Sequence, residues 1–378
     1  MHVFSDFDAK ELYGPEITDK DGALLDEHDS FYINTKSLLV LFQIMGVMPI
    51  MRVPRDARTT ERTTYNWISK ATVWAYIVWS LESIIVIKVG QERLANFQNS
   101  SNKRFDEVIY NIIFLSILIP HFLLPIASWR HGPQVAIFKN MWTHYQLKYL
   151  KITGTPIVFP NLHSLTWGLC VFSWALSFAV ILSQYYLQDD FELWHTFAYY
   201  HIIAMLDGFC SLWYINCNAF GTASRGLAMN LHKALEAEHP ALKVAQYRHL
   251  WVDLSHMMQQ LGRAYSNMYG IYCMVIFFTT TISLYGALSE ILERGLSYKE
   301  LGLFIIVTYC MTLLFLICNE AYHASRKNIS FMSTYLIVLM QFKLTLLRQS
   351  ARKTFKAIAE AIFNITTVLP EDDDDEEE

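Results

Sequence analysis

Long runs of apolar residues, separated by polar connections, alternate along most of the chain. Six runs are long enough to cross a hydrocarbon layer of roughly 30 Å as helices, because a helix rises about 1.5 Å per residue. Four of the six contain no Asp, Glu, Lys or Arg. The predicted spans are Ala71–Val89, Val108–Trp129, Ser164–Leu187, Trp194–Ala223, Asn267–Leu288 and Leu301–Asn319. The pattern predicts an all-α integral membrane protein.

Two further apolar segments flank these runs. Ser37–Ile50 has 14 residues and a proline, Pro49, at its end. That length favours an interfacial or re-entrant helix over a span. Near the other end, Ile329–Phe342 is apolar, Lys343 interrupts it and Leu344–Leu347 resumes it. We expect a seventh transmembrane helix there, which requires the Lys343 ammonium to reach toward an interface.

Lys and Arg residues divide unequally between the two sides of the predicted spans. Sixteen lie in the connections on the side of the N-terminus, and only a handful lie on the other side. Because basic loops are retained in the cytoplasm, the N-terminus is predicted to be cytoplasmic, opposite to a G-protein-coupled receptor. The basic residues between Lys343 and Lys356 also favour the cytoplasm, which six spans would satisfy and seven would not.

The connection over residues 224–266 is too long for a plain loop. Apolar residues recur at helical spacing from Ala241 to Ala264, and Gln246, Arg248, Asp253 and Gln259 lie opposite them. This pattern predicts a cytoplasmic amphipathic helix that runs into the fifth span. Such a helix packs either against another part of the chain or against a neighbouring subunit.

Composition agrees with a membrane protein. Hydrophobic residues make up 53% of the chain and charged residues 17%, which excludes a disordered protein and an ordinary nucleic-acid binder. The acidic run Glu371–Glu378 accounts for the net charge of −5, and without it the chain is mildly basic. The predicted organisation is a cytoplasmic tail over 1–36, a seven-helix domain over 37–347, and a C-terminal tail with an acidic end over 348–378.

No catalytic constellation is present, so we do not expect an enzyme. The chain lacks HExxH, GxSxG, P-loop and GxGxxG motifs, and its six cysteines include no CxxC pair. The two histidines on the amphipathic helix, His249 and His256, are interpreted as exposed polar positions, since no further ligands have suitable spacing. The sequence predicts neither a metal site nor a cofactor.

Ionisable side chains within the predicted spans are costly to bury and are therefore candidate functional groups. Glu82 and Asp207 are the clear cases, and Glu320 lies at an inner boundary. For Asp207 and His121, a hydrogen-bonded polar group between helices is an equally open interpretation. The candidate ligand-pocket residues are His121, His201, Asp207 and Trp213. Three of them are spaced six residues apart, so they spiral around their helix.

The segment Thr334–Phe342, TYLIVLMQF, resembles the signature in the last helix of insect gustatory receptors. Four other stretches resemble the carbon dioxide receptor branch of that family. They are Ser37–Ile50, Leu123–Trp142, Cys210–Arg225 and Tyr247–Gly270. The resemblance covers most of the chain, from about Phe31 to Lys343.

This resemblance implies a subunit of a ligand-gated, nonselective cation channel in the plasma membrane of chemosensory neurons. Its implied partners are other gustatory receptor subunits of the same branch, in a heteromeric tetramer, and its implied ligand is carbon dioxide or another small volatile molecule. The last helix would line the pore. The residues expected at the pore or gate are Thr334, Tyr335, Val338, Gln341, Phe342 and Thr345. Ordinary helix packing is the alternative for them.

The chain departs from the family between the sixth span and the pore helix. Family members carry several tens of residues there, whereas here Asn319–Lys327 runs directly into Asn328. The alternative function is therefore a non-conducting or regulatory splice-type variant. The sequons at Asn99 and Asn364 are the expected glycosylation sites, and Asn364 is outside the cell only if the chain has seven spans.

Overall fold

A computed structural model describes residues 17–18, 21–54, 59–99, 105–188, 191–234, 240–294 and 301–326. All of them belong to the first of two units into which contacts divide the chain, at Asn328. The helices, numbered in chain order, are α1 Gly22–Glu27, α2 Ser30–Ile44, α3 Lys70–Asn99, α4 Phe105–Arg130, α5 Gly132–Thr153, α6 Leu162–Leu187, α7 His195–Ala234, α8 Pro240–Arg294 and α9 Leu301–Arg326.

The N-terminal helix α2 is displaced from the position that the sequence predicts. It begins at Ser30, because the Asp29 carboxylate accepts a hydrogen bond from the backbone N–H of Tyr32 and so caps the helix. It ends at Ile44, before Gly46 takes a left-handed conformation with φ of 71°. The predicted helix over Ser37–Ile50 is therefore wrong in both bounds, and α2 runs across the predicted end of the N-terminal tail.

A short antiparallel hairpin follows α2. Its strands are β1 (Met51–Arg52) and β2 (Thr63–Thr64), and Met51 pairs with Thr64. The Asn140 side chain of α5 completes this hairpin, since its amide accepts from Thr63 N at 2.7 Å and donates to Thr63 O at 2.9 Å. The hairpin thereby connects the N-terminal segment to α5.

Five of the described helices are long and apolar enough to cross a membrane, by length and composition. They are α3, α4, α6, α8 and α9. These helices correspond to the first, second, third, fifth and sixth predicted spans. The all-α membrane fold predicted from the sequence is thus confirmed.

The fourth predicted span corresponds to the helix α7, which is not among those five. It has 40 residues, and every side chain from Ile202 to Leu212 is buried. It packs against α3, α4, α6 and α8. Because other helices surround this segment, it needs little apolar surface and can hold Asp207 in its middle.

The longest helix, α8, joins the predicted amphipathic extension to the fifth span without a break. It has 55 residues. Its first portion buries Leu250, Leu254 and Met257 and exposes Arg248 and Gln259, whereas Gln246 and Asp253, also predicted on the polar face, are half-buried. The buried face packs against α5 of the same chain. Of the two packing partners that the sequence left open, the structure shows the intramolecular one.

Candidate functional site

The candidate ligand-pocket residues do not form one group inside the helical bundle. Asp207 belongs to one polar group, while His121 and His201 belong to another. Trp213 belongs to neither group. Its indole N–H donates to the carbonyl of Ile317 at 3.1 Å, and its ring lies 4.6 Å from that of Tyr269. This side chain packs α7 against α8 and α9.

Asp207 links three helices through its carboxylate. Its side chain is only 3% exposed. Ser177 of α6 donates to one carboxylate oxygen at 2.8 Å, and Tyr309 of α9 donates to the other at 2.8 Å. On the same helices, Ser173 and Ser211 are hydrogen-bonded at 3.1 Å. A buried acid is tolerated here because both of its oxygens are satisfied.

A cavity of about 630 Å³ opens beside this carboxylate, between α6, α7 and α9. Its walls are largely apolar, with a few polar groups. The lining residues include Phe172, Leu176, Asp207, Tyr214, Phe304, Ile305, Thr308, Tyr309 and Leu316. Cavities of roughly 300–1,000 Å³ with such walls are typical of small-molecule sites. This one could hold a small, mainly apolar molecule whose polar group faces Tyr309 and Asp207.

The second group consists of Glu82 on α3, His121 on α4 and His201 on α7. His201 contacts the Glu82 carboxylate through its Nδ1 atom. His121 is fully buried, its Nε2 lies 2.9 Å from Ser83 Oγ, and its ring lies 6.3 Å from that of His201. The sequence identified all three residues as intramembrane polar groups, but it did not predict that they meet.

The backbone beside His121 is shaped by a proline. Pro125 lies inside α4 and has no N–H, so the carbonyl of His121, four residues earlier, loses its helical donor. The indole N–H of Trp79 donates to this carbonyl at 3.1 Å, and the Trp79 and His121 rings are stacked within 9° of parallel. Trp79 therefore holds both the backbone and the ring of His121.

A third polar group lies near the start of α7 and was missed by the sequence analysis. Arg93 was assigned to a connection, but α3 continues to Asn99, and Arg93 is only 2% exposed. Its guanidinium lies over the ring of Phe114 at 4.7 Å. Glu92 and His195 are 3.1 Å apart beside it. Arg93 follows Val86 and Val89, which are also buried, at helical spacing. This spacing could have indicated from the sequence that Arg93 lies on the buried face of α3.

Two aspartates tie the N-terminal helices to the hairpin and α5. Arg52 contacts both carboxylates, reaching Asp26 at 2.7 Å and Asp29 at 2.8 Å. Burial acts to raise the pKa of Asp26, but hydrogen bonds from Arg62 and Arg52 outweigh it and hold that pKa below its ordinary value. Thr143 of α5 donates to Asp29 at 2.7 Å. This cluster stabilises the segment around Asp26 and Asp29, which was predicted to be part of an N-terminal tail.

Several predicted residues lie outside the described part of the chain. They are the pore or gate residues Thr334, Tyr335, Val338, Gln341, Phe342 and Thr345 and the sequon residue Asn364. Asn99 is the last residue of α3.

Comparisons with known proteins agree with the resemblance seen in the sequence. A family model described as 7tm Chemosensory receptor matches residues 35–333. Gustatory and odorant receptor 22 of Anopheles gambiae is 59% identical, covering 88% of this chain and 82% of the relative. Gustatory and odorant receptor 21a of Drosophila melanogaster is 58% identical, over 85% and 82% of the two chains. Gustatory and odorant receptor 24 of Anopheles gambiae is 24% identical.

The fold is similar to that of a solved olfactory receptor. The structure of the insect olfactory receptor OR5 from Machilis hrabei matches with a TM-score of 0.54 and 15% sequence identity, covering 82% of this chain and 83% of that one. The alignment with Gustatory and odorant receptor 22 extends over 386 positions, more than the 378 residues of this chain, although it covers 88% of it. The alignment therefore includes positions at which this chain has no residue.

Proposed function

We propose, from the premise that this chain belongs to the 7tm chemosensory receptor family and lies among the insect gustatory receptors, that it is a subunit of a ligand-gated, nonselective cation channel. It acts in the plasma membrane of chemosensory neurons, in a heteromer with other gustatory receptor subunits of the carbon dioxide branch. Its stimulus is carbon dioxide or another small volatile molecule.

The observation that carries this proposal is the cavity between α6, α7 and α9. The carboxylate of Asp207 joins these three helices through Ser177 and Tyr309 at the cavity wall. A molecule that enters the cavity contacts all three helices and competes for the hydroxyl of Tyr309. Because binding can favour one arrangement of the helices over another, the cavity supports a ligand-gated mechanism.

Helix α9 connects the cavity to the proposed pore. Its last described residue is Arg326, eight residues before Thr334 in the sequence. A shift of α9 on ligand binding is transmitted to the last helix through this short segment. There Val338 and Phe342 form the hydrophobic constriction, and Gln341 offers the permeating ion a polar partner.

The proposal is tested by recording carbon dioxide-evoked currents from cells that express this chain with Gustatory and odorant receptor 24. We expect an inward cation current that neither subunit gives alone. Absence of that current, at normal surface expression of both subunits, would contradict the proposal.

A pair of tryptophan substitutions on α9 tests whether the cavity is the ligand site. Ile305 lines the cavity, whereas Met311 is 52% exposed on the same helix and does not line it. We expect Ile305→Trp to narrow the cavity and reduce the evoked current, because the larger indole takes up part of the volume that is open to the ligand. Met311→Trp should leave the current close to the wild-type level. Equal currents from the two variants would exclude this cavity as the site.

A second candidate function is a non-conducting subunit that associates with longer gustatory receptors and reduces their activity. It is favoured by the alignment positions that this chain lacks, and by the short segment between α9 and Thr334. Titrating this chain into cells that express the mosquito relatives distinguishes the two functions. A current that falls in proportion to the added chain supports the second function, and a current that is maintained or rises supports the first.

A further inference from the structure

Three metal-ligating side chains converge inside the helical bundle, outside the ligand cavity. Glu82, His121 and His201 come from α3, α4 and α7, and one possible ligand atom from each lies within 4.8 Å of the other two. They are separated in sequence by 39 and 80 residues, so their meeting results from helix packing and not from a local motif.

The imidazoles of this group have unsatisfied nitrogen atoms. Among the described residues, neither His121 Nδ1 nor His201 Nε2 has a hydrogen-bond partner. A buried polar nitrogen without a partner is unfavourable, and an uncompensated site of this kind requires an explanation. A bound cation would use these lone pairs.

The surroundings of His121 favour a metal-ligating form of its ring. Its Nε2 lies 2.9 Å from Ser83 Oγ, so an Nε2–H that donates to this hydroxyl leaves Nδ1 with a free lone pair. Metal-bound histidines usually donate their other N–H in this way, which fixes the tautomer and the ring orientation. Stacking on Trp79 adds to the same restraint.

We propose that Glu82, His121 and His201 form a binding site for Zn²⁺. Two imidazoles and one carboxylate are a known ligand set for zinc, with a fourth position left for water. Ligands in a tetrahedral zinc site are about 3.3 Å apart, given metal–ligand distances of about 2.0–2.1 Å. For all three to bind one ion, the contact between Glu82 and His201 must therefore open and the longer separations, of up to 4.8 Å, must close, which side-chain torsions can supply. The Glu82 and His201 side chains are 27% and 15% exposed, so these two ligands are only partly enclosed by the described helices.

The bound ion would connect α3 and α4 to α7, the helix that also carries Asp207. His201 and Asp207 are six residues apart, or about 9 Å along the helix axis. The zinc site and the ligand cavity are therefore different sites on one helix. The simpler alternative is an ion pair between protonated His201 and Glu82, which would need no metal and would leave His121 Nδ1 without a partner.

Metal binding by the purified chain in detergent tests this proposal. The protein is stripped with EDTA, dialysed against Zn²⁺ and analysed for bound metal by mass spectrometry. We expect one Zn²⁺ per chain, and Co²⁺ in its place should give the visible absorption of a tetrahedral site. Glu82→Gln, His121→Ala and His201→Ala should each weaken binding by more than about tenfold and remove the cobalt spectrum.

His163→Ala is the matched control, because His163 is an exposed histidine on α6. It should bind zinc as the wild type does. Ser83→Ala is a milder test that retains all three ligands, and it should weaken binding about 10–100-fold. Each variant is first checked by size-exclusion chromatography. Absence of saturable binding to the wild-type chain would overturn the proposal, as would unchanged binding to folded Glu82, His121 and His201 variants.

Discussion

Lys139 is buried on α5, in a region that the sequence assigns to the cytoplasm. Its side chain is 4% exposed, and its ammonium lies 4.6 Å from the ring centre of Phe31. Among the described residues, Nζ has no hydrogen-bond partner. Burial lowers the pKa of Lys139 from 10.5 to about 8, although the nearby Asp29 charge acts in the opposite direction. This charge therefore costs stability at neutral pH.

The free energy of unfolding should depend on pH because Lys139 titrates at different pH values in the folded and unfolded chain. The folded-state pKa lies below that of the unfolded chain, so the unfolded chain binds more protons between about pH 8 and 10.5. The contribution of Lys139 to stability consequently rises with pH across that window, by at most about 1.4 kcal/mol per pH unit. Lys139→Met should be more stable than the wild type at pH 7, and the difference should shrink at pH 9.

Denaturant unfolding of the two proteins in detergent measures that difference. Lys139→Arg serves as a control, since arginine stays charged at both pH values and should remain destabilising. If the difference between wild type and Lys139→Met were the same at pH 7 and pH 9, the buried lysine would not titrate as described.

The hydrogen bonds of Asp207 lead to a second prediction, which concerns the stability of a single-residue variant. Tyr309→Phe removes the hydroxyl that donates to this carboxylate while the ring is retained. We expect a loss of about 1–3 kcal/mol in the free energy of unfolding, because a buried acceptor loses its donor. Tyr186→Phe is the matched control, since Tyr186 is 76% exposed on α6. Equal thermal stabilities of the two variants would show that the Tyr309 hydrogen bond contributes little.

Close packing of helix α8 against α4 depends on a glycine. A Cβ atom added to Gly286 would lie 2.6 Å from Ile109 Cγ2, closer than van der Waals contact permits. Gly286→Ala should therefore destabilise the protein by about 1–3 kcal/mol, as over-packing does in cores. Gly270→Ala on the same helix is the control, because a Cβ there would meet nothing within 4 Å.

Thermal unfolding in detergent compares the two glycine variants. The double variant Ile109→Ala/Gly286→Ala should be less destabilised than the sum of its two single variants, since truncation of the buried Ile109 has a cost of its own but removes the atom that clashes. If Gly286→Ala and Gly270→Ala were equally stable, the approach of α8 to α4 would be looser than the structure indicates.

The sequence predicts some of these elements well and others poorly. Apolar periodicity located five spans and the amphipathic part of α8, because Leu250, Leu254 and Met257 repeat at helical spacing on one buried face. Hydropathy misplaced α2, whose bounds depend on the Asp29 cap and on the backbone of Gly46. The Asp29 cap and the Gly46 turn each involve a single residue without an apolar side chain, so a pattern of apolar residues does not reveal them.

The contacts of the candidate sites could not be predicted from the sequence. Asp207 was identified because an acid within a span is costly, but its partners Ser177 and Tyr309 lie 30 and 102 residues away. Glu82 meets His121 and His201 through the packing of three helices. Such long-range pairs follow from the arrangement of the whole bundle, and a single sequence contains no direct signal for them.

At the scale of the whole molecule, the connections rich in Lys and Arg, on the N-terminal side of the predicted spans, include helices that pack together in a layer. The hairpin, α5 and the first part of α8 lie together there, and Lys148 of α5 donates to Asp253 of α8 at 2.7 Å. This layer includes most of the connections whose Lys and Arg residues predict a cytoplasmic location. A channel subunit with this orientation needs seven spans to place its last helix across the membrane.

The side of the membrane on which Asn364 lies tests this account most directly. Glycosylation is mapped in insect-cell microsomes, with Asn99 as the positive control on the predicted outer side. The account predicts that Asn364 is modified and that a C-terminal tag is protected from protease added outside the microsomes. A tag that is digested, with Asn99 modified and Asn364 unmodified, would place the C-terminus in the cytoplasm. That result would contradict a seventh span and, with it, a conducting channel subunit.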